Sequence, residues 1–336
     1  MKIYYSPYEL IPLSSLNRRV QKAPRSGALL RIIFEEGLEG FANLHPNPER
    51  GDFSFEKQLE LLAQGGPTPQ TKISIKLAKI DAKARAQRKS LWNDLTLPLC
   101  HYLVTEPIGF SQTTLLEALE KGFRKFKIKT GRDLKAEIDI LNQWAEVLPP
   151  KSLRPDFNRS LDQKGLQLFC KEVSPTLVKG IDFVEDPTPD SPEIWHNASQ
   201  EIPWAWDQGS EKIDPLSKSF QVVVLKPAIQ DLNSIWPVLK KVPTRIVFTS
   251  YMDHPVGQLG ACFVAARFYK TNPHCEEVCG LMSQSIFEKT PYQECITTKG
   301  PQLIPPDGVG VGFADLLEKE PWKRLSIGNP VIPIYS

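Results

Sequence analysis

Six ionisable residues close apolar runs at intervals along the chain. Lys127 and Lys129 end KFKIK, Asp156 ends LRPD, Glu185 ends IDFVE, Asp207 ends PWAWD and Lys226 ends VVVLK. A lone charge at the end of a buried strand carries a desolvation cost, so one such group by itself is best explained as a strand-end salt bridge. Five successive runs ending this way ask for more. Three carboxylates on neighbouring strands repel one another unless a cation joins them. Three such donors, with no His or Cys beside them, suit a hard divalent ion: Mg²⁺ first, with Mn²⁺ as a substitute. Lysines on both sides of the trio can approach a metal-bound carboxylate substrate from opposite faces. That arrangement suits proton abstraction α to a carboxylate. A lysine, with an ordinary pKa of roughly 10.4, must be depressed by burial and nearby cations to serve as the base.

The elements that would hold these groups are short strands alternating with helices. From about residue 100 the runs HYLVT, KFKIK, LRPDF, IDFVE, PWAWD, VVVLK and RIVFTS, and a weaker one beginning at CGLMS, are separated by helical stretches such as DLKAEIDILNQWAEVL and GQLGACFVAARFY. Such alternation implies parallel strands joined by crossovers, and eight units close a barrel. A doubly wound open sheet lacks support, because no Gly-rich dinucleotide fingerprint follows a strand. The expected fold is therefore α/β: a (β/α) barrel of TIM type over residues 99–299, with functional groups at the C-terminal strand ends. Strands two and six then face each other, setting Lys129 against Lys226 across the mouth. Residues 1–98 form an α+β capping domain, which the segment 300–336 is expected to join. There KIYYSPYEL, ALLRIIF and GFANL are β-prone, SFEKQLELLAQGG is a short helix, and Ile73, Leu77, Ile80 and Ala84 mark the apolar face of a second.

Composition narrows the class. The 336 residues carry 41 Lys+Arg against 39 Asp+Glu, a formal charge of +2, which removes the electrostatic case for nucleic-acid binding. No apolar run approaches a membrane span and MKIYYSPYEL lacks a signal-peptide core, so a cytoplasmic protein is expected, with no membrane partner. Six scattered cysteines suggest reduced thiols. His274, Cys275 and Cys279 lie close together but lack a second pair at zinc spacing, and are taken as core or loop residues.

The order K-x-K, D, E, D, K on successive strands behind an α+β domain resembles the enolase superfamily in its muconate-lactonising branch. Within it, FKIKTG, LRPDFNRS, IDFVEDP, PWAWDQGS, VVVLKPA and FTSYMDHPVGQLG are most like the o-succinylbenzoate synthases of menaquinone biosynthesis. This resemblance implies a metal-dependent hydro-lyase acting on a small carboxylate. Lys129 would be the acid/base catalyst and Lys127 would lie near the substrate carboxylate. Asp156, Glu185 and Asp207 would be Mg²⁺ ligands, and Lys226 would stabilise the anionic intermediate. Arg154, from an R-x-D pattern, and the hydroxyl pair Thr249 and Ser250 are expected at the substrate. In the cap, the segment 14–27 would close over the site, with Arg18 and Arg19 pairing with a substrate carboxylate. The sequence departs from the family at Gln208-Gly209, where an acid is usual, and at Asp186, where Glu is commoner. Rival readings are an N-acylamino acid racemase or a dipeptide epimerase using the same lysines; GLMSQSIF lacks the acids that an epimerase would place on strand eight. More remote is a non-catalytic binding protein, which would be expected to have lost a lysine or an acid.

Overall fold

The computed structural model describes residues 1–14, 23–189, 192–210, 219–242 and 244–326. Arg18 and Arg19 lie outside them. Strands β1 (Lys2–Leu10), β2 (Arg25–Ile33) and β3 (Glu39–Leu44) form an antiparallel meander. Helix α1 (Phe55–Ala63) is capped by Ser54, whose Oγ accepts from Lys57 N at 3.3 Å. Helix α2 (Pro69–Ala86) starts behind Thr68, whose Oγ1 accepts from Thr71 N at 3.2 Å, with proline in its first turn.

The buried face of α2 differs from the apolar stripe expected. Ile73 is buried as expected, but Thr71, Ser74, Ala78, Asp81 and Ala82 are buried with it, while Leu77, Ile80 and Ala84 are half-buried. Close packing on the sheet explains the rotation. A Cβ on Gly40 of β3 would stand 1.9 Å from the Ala78 carbonyl oxygen, so only small side chains fit at the contact. Asp81 pins the helix there, accepting from Phe41 N at 2.9 Å and Val311 N at 2.6 Å.

The second sheet holds β4 (Tyr102–Val104), β5 (Phe126–Lys129), β6 (Leu153–Asp156), β7 (Val184–Glu185), β8 (Trp204–Trp206), β9 (Val222–Leu225) and β10 (Arg245–Phe248), parallel and in sequence order. Around it run α3 (Gln112–Glu120), α4 (Leu134–Ala145), α5 (Gln163–Glu172), α6 (Pro175–Gly180), α7 (Pro192–Ala198), α8 (Leu232–Leu239) and α9 (Pro255–Thr271). The weak eighth run closes the ring through Cys279 and Gly280. Gly280 N donates to Phe248 O (2.8 Å) on one side, and Cys279 O accepts from His101 N (2.8 Å) on the other. The barrel expected from the alternation is the fold observed. Beyond it lie α10 (Pro291–Glu294), the hairpin β11 (Thr297–Lys299) and β12 (Gln302–Ile304), and α11 (Ala314–Glu318). Strand β13 (Lys323–Arg324) then pairs with β1 at the edge of the cap sheet. Among the described residues no helix is long and apolar enough to cross a membrane.

Gly40→Ala is expected to destabilise the protein by about 1–3 kcal/mol, because neither backbone can yield cheaply. Urea denaturation followed by circular dichroism measures it; an unchanged midpoint would show that α2 can shift off the sheet.

Candidate active site

Strand alternation carries the ionisable groups to one place. On β9, Val222 and Val224 point into the barrel with Phe183, Ala205 and Val247, while Val223 and Leu225 pack outward under the helices. Counting on by two, Lys226 also faces inward, at the mouth. The same count from Phe183, Ala205 and Val247 brings in Glu185, Asp207 and Thr249. On β5, Phe126 and Ile128 take the outer core and leave Lys127 and Lys129 inside. Register places Lys129 beside Asp156, and Asp156 beside Glu185.

All six groups are at most 8% exposed, so they must neutralise one another. Lys127 Nζ lies 2.7 Å from both Glu185 oxygens and 2.8 Å from Asp156 Oδ2. Lys129 Nζ donates to the same Asp156 oxygen at 2.5 Å. Lys226 Nζ pairs with Asp207 Oδ1, and Arg50 from the cap approaches Asp207 Oδ2 at 3.7 Å. Burial pushes the Asp156 carboxyl up, but the two ammonium groups together overcome it and hold it well below the usual carboxylate range. Burial lowers Lys129, and the Lys127 charge adds to that effect against the pull of Asp156. Lys226 is also lowered, chiefly by burial and then by Arg50. Lys127 goes the other way: burial lowers it, yet Asp156 and Glu185 outweigh burial and raise it.

Among the described residues no three acidic, His or Cys side chains gather into a metal cluster. Asp156 and Glu185 meet at the Lys127 ammonium, whereas Asp207 is turned to Lys226 and Arg50. Buried carboxylates take the nearest cations, and here these are side chains. The donor set still fits a hard divalent ion in kind: three carboxylates on adjacent strands, with neither thiolate nor imidazole among them. Lys127 shows that one cation can reach Asp156 and Glu185 together.

Asp186 fixes the exit of β8. It sits in the left-handed region at φ 42°, and its carboxylate accepts from Asp207 N (3.0 Å) and Gln208 N (2.9 Å). Burial pushes its carboxyl up to about 7. Where the resemblance leads one to expect an acid, the Gln208 carbonyl accepts from Arg159 and, at 2.7 Å, from Trp206 Nε1. Gly209, at φ 92°, allows that turn.

The other expected site residues divide. Thr249 and Ser250 line the same cavity as the lysines; Thr249 Oγ1 is buried without a hydrogen bond among the described residues, and Ser250 Oγ bonds Ser283 Oγ at 2.7 Å. Arg154 does not line it. It faces inward one layer deeper, 0% exposed, with Nε on Asp182 Oδ2 (2.8 Å), Nη1 on Val278 O (2.7 Å) and its guanidinium over the Phe183 ring. This is a barrel-core ion pair in place of the substrate contact expected. Two cap residues also line the cavity: Arg25, within the segment 14–27 expected to close over the site, and Arg50, which was not anticipated from sequence. Asn158 was also missed; its backbone N and Nδ2 donate to Asp156 Oδ1 at 3.0 and 3.1 Å. Arg25 opens β2, whereas Arg50 ends the short turn Pro48–Arg50, whose position over the barrel depends on docking.

Solved structures share this capped barrel. One is an L-Ala-D/L-Glu epimerase from Bacillus subtilis, 16% identical over 92% of this chain and 97% of that one, with a TM-score of 0.74. Another is a dipeptide epimerase from Enterococcus faecalis, complexed with Mg and the dipeptide L-Leu-L-Tyr: 16% identical, covering 93% and 98%, TM-score 0.70. These define the class by fold: a TIM-type barrel under an α+β cap. Residues 3–84 match the family O-succinylbenzoate synthase, N-terminal domain. An o-succinylbenzoate synthase from Bdellovibrio bacteriovorus is 33% identical over 97% of this chain and 99% of its own length. The chain belongs to the o-succinylbenzoate synthase family.

Arg154→Met should lower stability by about 1.5–3 kcal/mol, the worth of charged hydrogen bonds, since Lys125 and Arg245 still face Asp182. Chemical denaturation measures the loss. Unchanged stability with a raised KM would instead return Arg154 to the substrate.

Proposed function

We propose that this chain is a Mg²⁺-dependent hydro-lyase that dehydrates 2-succinyl-6-hydroxy-2,4-cyclohexadiene-1-carboxylate to 2-succinylbenzoate, a step of menaquinone biosynthesis. The observation that carries the reading is the rim itself: two lysines, three carboxylates and a third lysine, buried in that order on β5 to β9. Asp156, Glu185 and Asp207 are the residues that would hold the ion, with Mn²⁺ as a substitute. When bound, it supplies positive charge to the ring carboxylate as negative charge builds there.

The remaining steps belong to side chains. Lys129, its proton affinity lowered by burial and by Lys127, takes the proton α to the ring carboxylate. The electron pair of that C–H bond moves into an enediolate. Lys226 stabilises this anion from the other end of the trio and meets the ring as it gains aromatic character. Protonated Lys129 then gives its proton to the departing hydroxyl as the C–O bond breaks. Water leaves from the face that lost the proton, and the ring becomes aromatic. Thr249 Oγ1, without another partner among the described residues, is a hydrogen-bond donor for substrate oxygen. The eighth-strand wall of the cavity is Gly280, Met282 and Ser283, with no carboxylate for a substrate ammonium, which favours dehydration over dipeptide epimerisation.

The test is turnover of the cyclohexadiene substrate with Mg²⁺, alongside deuterium exchange into N-succinyl amino acids. Turnover without exchange supports the synthase; exchange without turnover supports a racemase. Lys129→Ala should reduce turnover by about 100- to 10,000-fold with the fold intact. Wild-type kcat/KM should rise with pH as Lys129 loses its proton, through a midpoint below that of an ordinary lysine. Full activity in the alanine variant would remove Lys129 from the mechanism.

A further inference from the structure

The proposed substrate carries two carboxylates. One belongs to the ring and is handled at the cavity floor. The other ends the succinyl arm and must also enter a cavity that the cap covers. A carboxylate leaving water needs a cation there, or its desolvation weakens binding.

The cavity's cations are mostly committed. Lys127, Lys129 and Lys226 serve the floor acids, and Arg50 reaches down to Asp207 and donates to Asn158 Oδ1 at 3.1 Å. Arg25 differs. It opens β2, is 8% exposed, lines the same cavity and pairs with another cap residue, Glu49, at 2.9 Å. Its guanidinium is held from behind: Nε lies 3.3 Å from His45 Nε2, and His45 Nδ1 lies 3.0 Å from the Tyr8 hydroxyl. Tyr8 in turn donates to Asn43 Oδ1 at 2.6 Å. The network assigns the tautomer. With the Tyr8 proton on Asn43, His45 donates through Nδ1 and accepts from Arg25 through Nε2. Burial, and then the Arg25 charge, hold His45 well below its usual range, so Nε2 stays an acceptor at neutral pH.

We propose that Arg25 is the cap's receptor for the distal carboxylate of the substrate, and therefore a specificity-determining residue. This rests on the synthase reading above. A guanidinium fixed at Nε presents a planar fork matched to a carboxylate. Glu49 shows that a carboxylate fits against it. The Glu49 side chain is 35% exposed and can turn to solvent when the substrate carboxylate takes its place. Arg25 belongs to the same segment as Arg18 and Arg19, to which the sequence reading gave this role.

The experiment uses the Mg²⁺-loaded full chain and two ligands: 2-succinylbenzoate, and 2-butanoylbenzoate, in which a methyl replaces the distal carboxylate. Calorimetry gives the Kd of each for wild type, Arg25→Met and Arg25→Lys. Wild type should prefer the succinyl ligand. Arg25→Met should weaken that ligand by about 10- to 100-fold while leaving the butanoyl ligand within about threefold. The KM of the cyclohexadiene substrate should rise in parallel, with kcat within about threefold. Arg25→Lys, which keeps the charge and loses the fork, should fall between, and it stands in if the methionine variant does not fold. An active wild type whose Arg25 variants keep the full preference for the succinyl ligand would overturn the assignment alone. A wild type that neither turns over the substrate nor binds 2-succinylbenzoate would overturn the synthase reading, and this inference with it.

Discussion

Charge compensation at the barrel mouth is the interaction on which everything else depends. Three carboxylates and three ammonium groups lie out of water, and no one of them could stay charged there alone. The Lys127 ammonium between Asp156 and Glu185 is the clearest expression of this: one cation holds two strand ends together. Residues farther out serve the same arrangement. Asn158 takes the second oxygen of Asp156, Asp186 sets the backbone that carries Asp207, and Arg50 brings cap charge to the rim. The barrel supplies rigid strand ends so that these groups meet at hydrogen-bond distance.

The cap completes the site by closing it. Its sheet and α2 are tied to the barrel by Tyr251, whose hydroxyl donates to Asp52 Oδ2 at 2.9 Å. Asn47 N and Gln70 Nε2 each donate to the same oxygen at 2.8 Å. That node anchors the turn bearing Glu49 and Arg50. On the proposed reading, floor and roof divide the work: the barrel rim carries the reacting groups, and the cap carries cations that select what enters.

Much of this was legible in the sequence because strands have a period of two. In VVVLK the two inward valines and the terminal lysine share one face, so an apolar run with a charged end already describes a buried mouth residue. The R-x-D likeness misled at Arg154. It lies two residues before Asp156 and faces the same way, but pattern alone does not encode depth, and one layer down the partner is Asp182. The closing strand was faint because it consists of two isolated bridges at Cys279 and Gly280. The face of α2 was misjudged because Gly40 admits only small side chains, a constraint set by the opposing strand. Arg25 fell within the cap segment expected over the mouth without being singled out, and Arg50 was invisible as a site residue, because docking, not local pattern, decides which cap side chains reach the mouth. That Asp156 and Glu185 would share Lys127 while Asp207 turns to Lys226 and Arg50 is likewise a matter of which cation each side chain finds.

The central claim is that Asp156, Glu185 and Asp207 act together as one divalent-cation site between Lys129 and Lys226. Mn²⁺ titration followed by electron paramagnetic resonance addresses it directly, because bound and free ions differ in signal. The account predicts one ion per chain in wild type, and loss of that binding in each of Asp156→Asn, Glu185→Gln and Asp207→Asn. Stoichiometric binding that survives Asp207→Asn, or no binding in wild type, would contradict it.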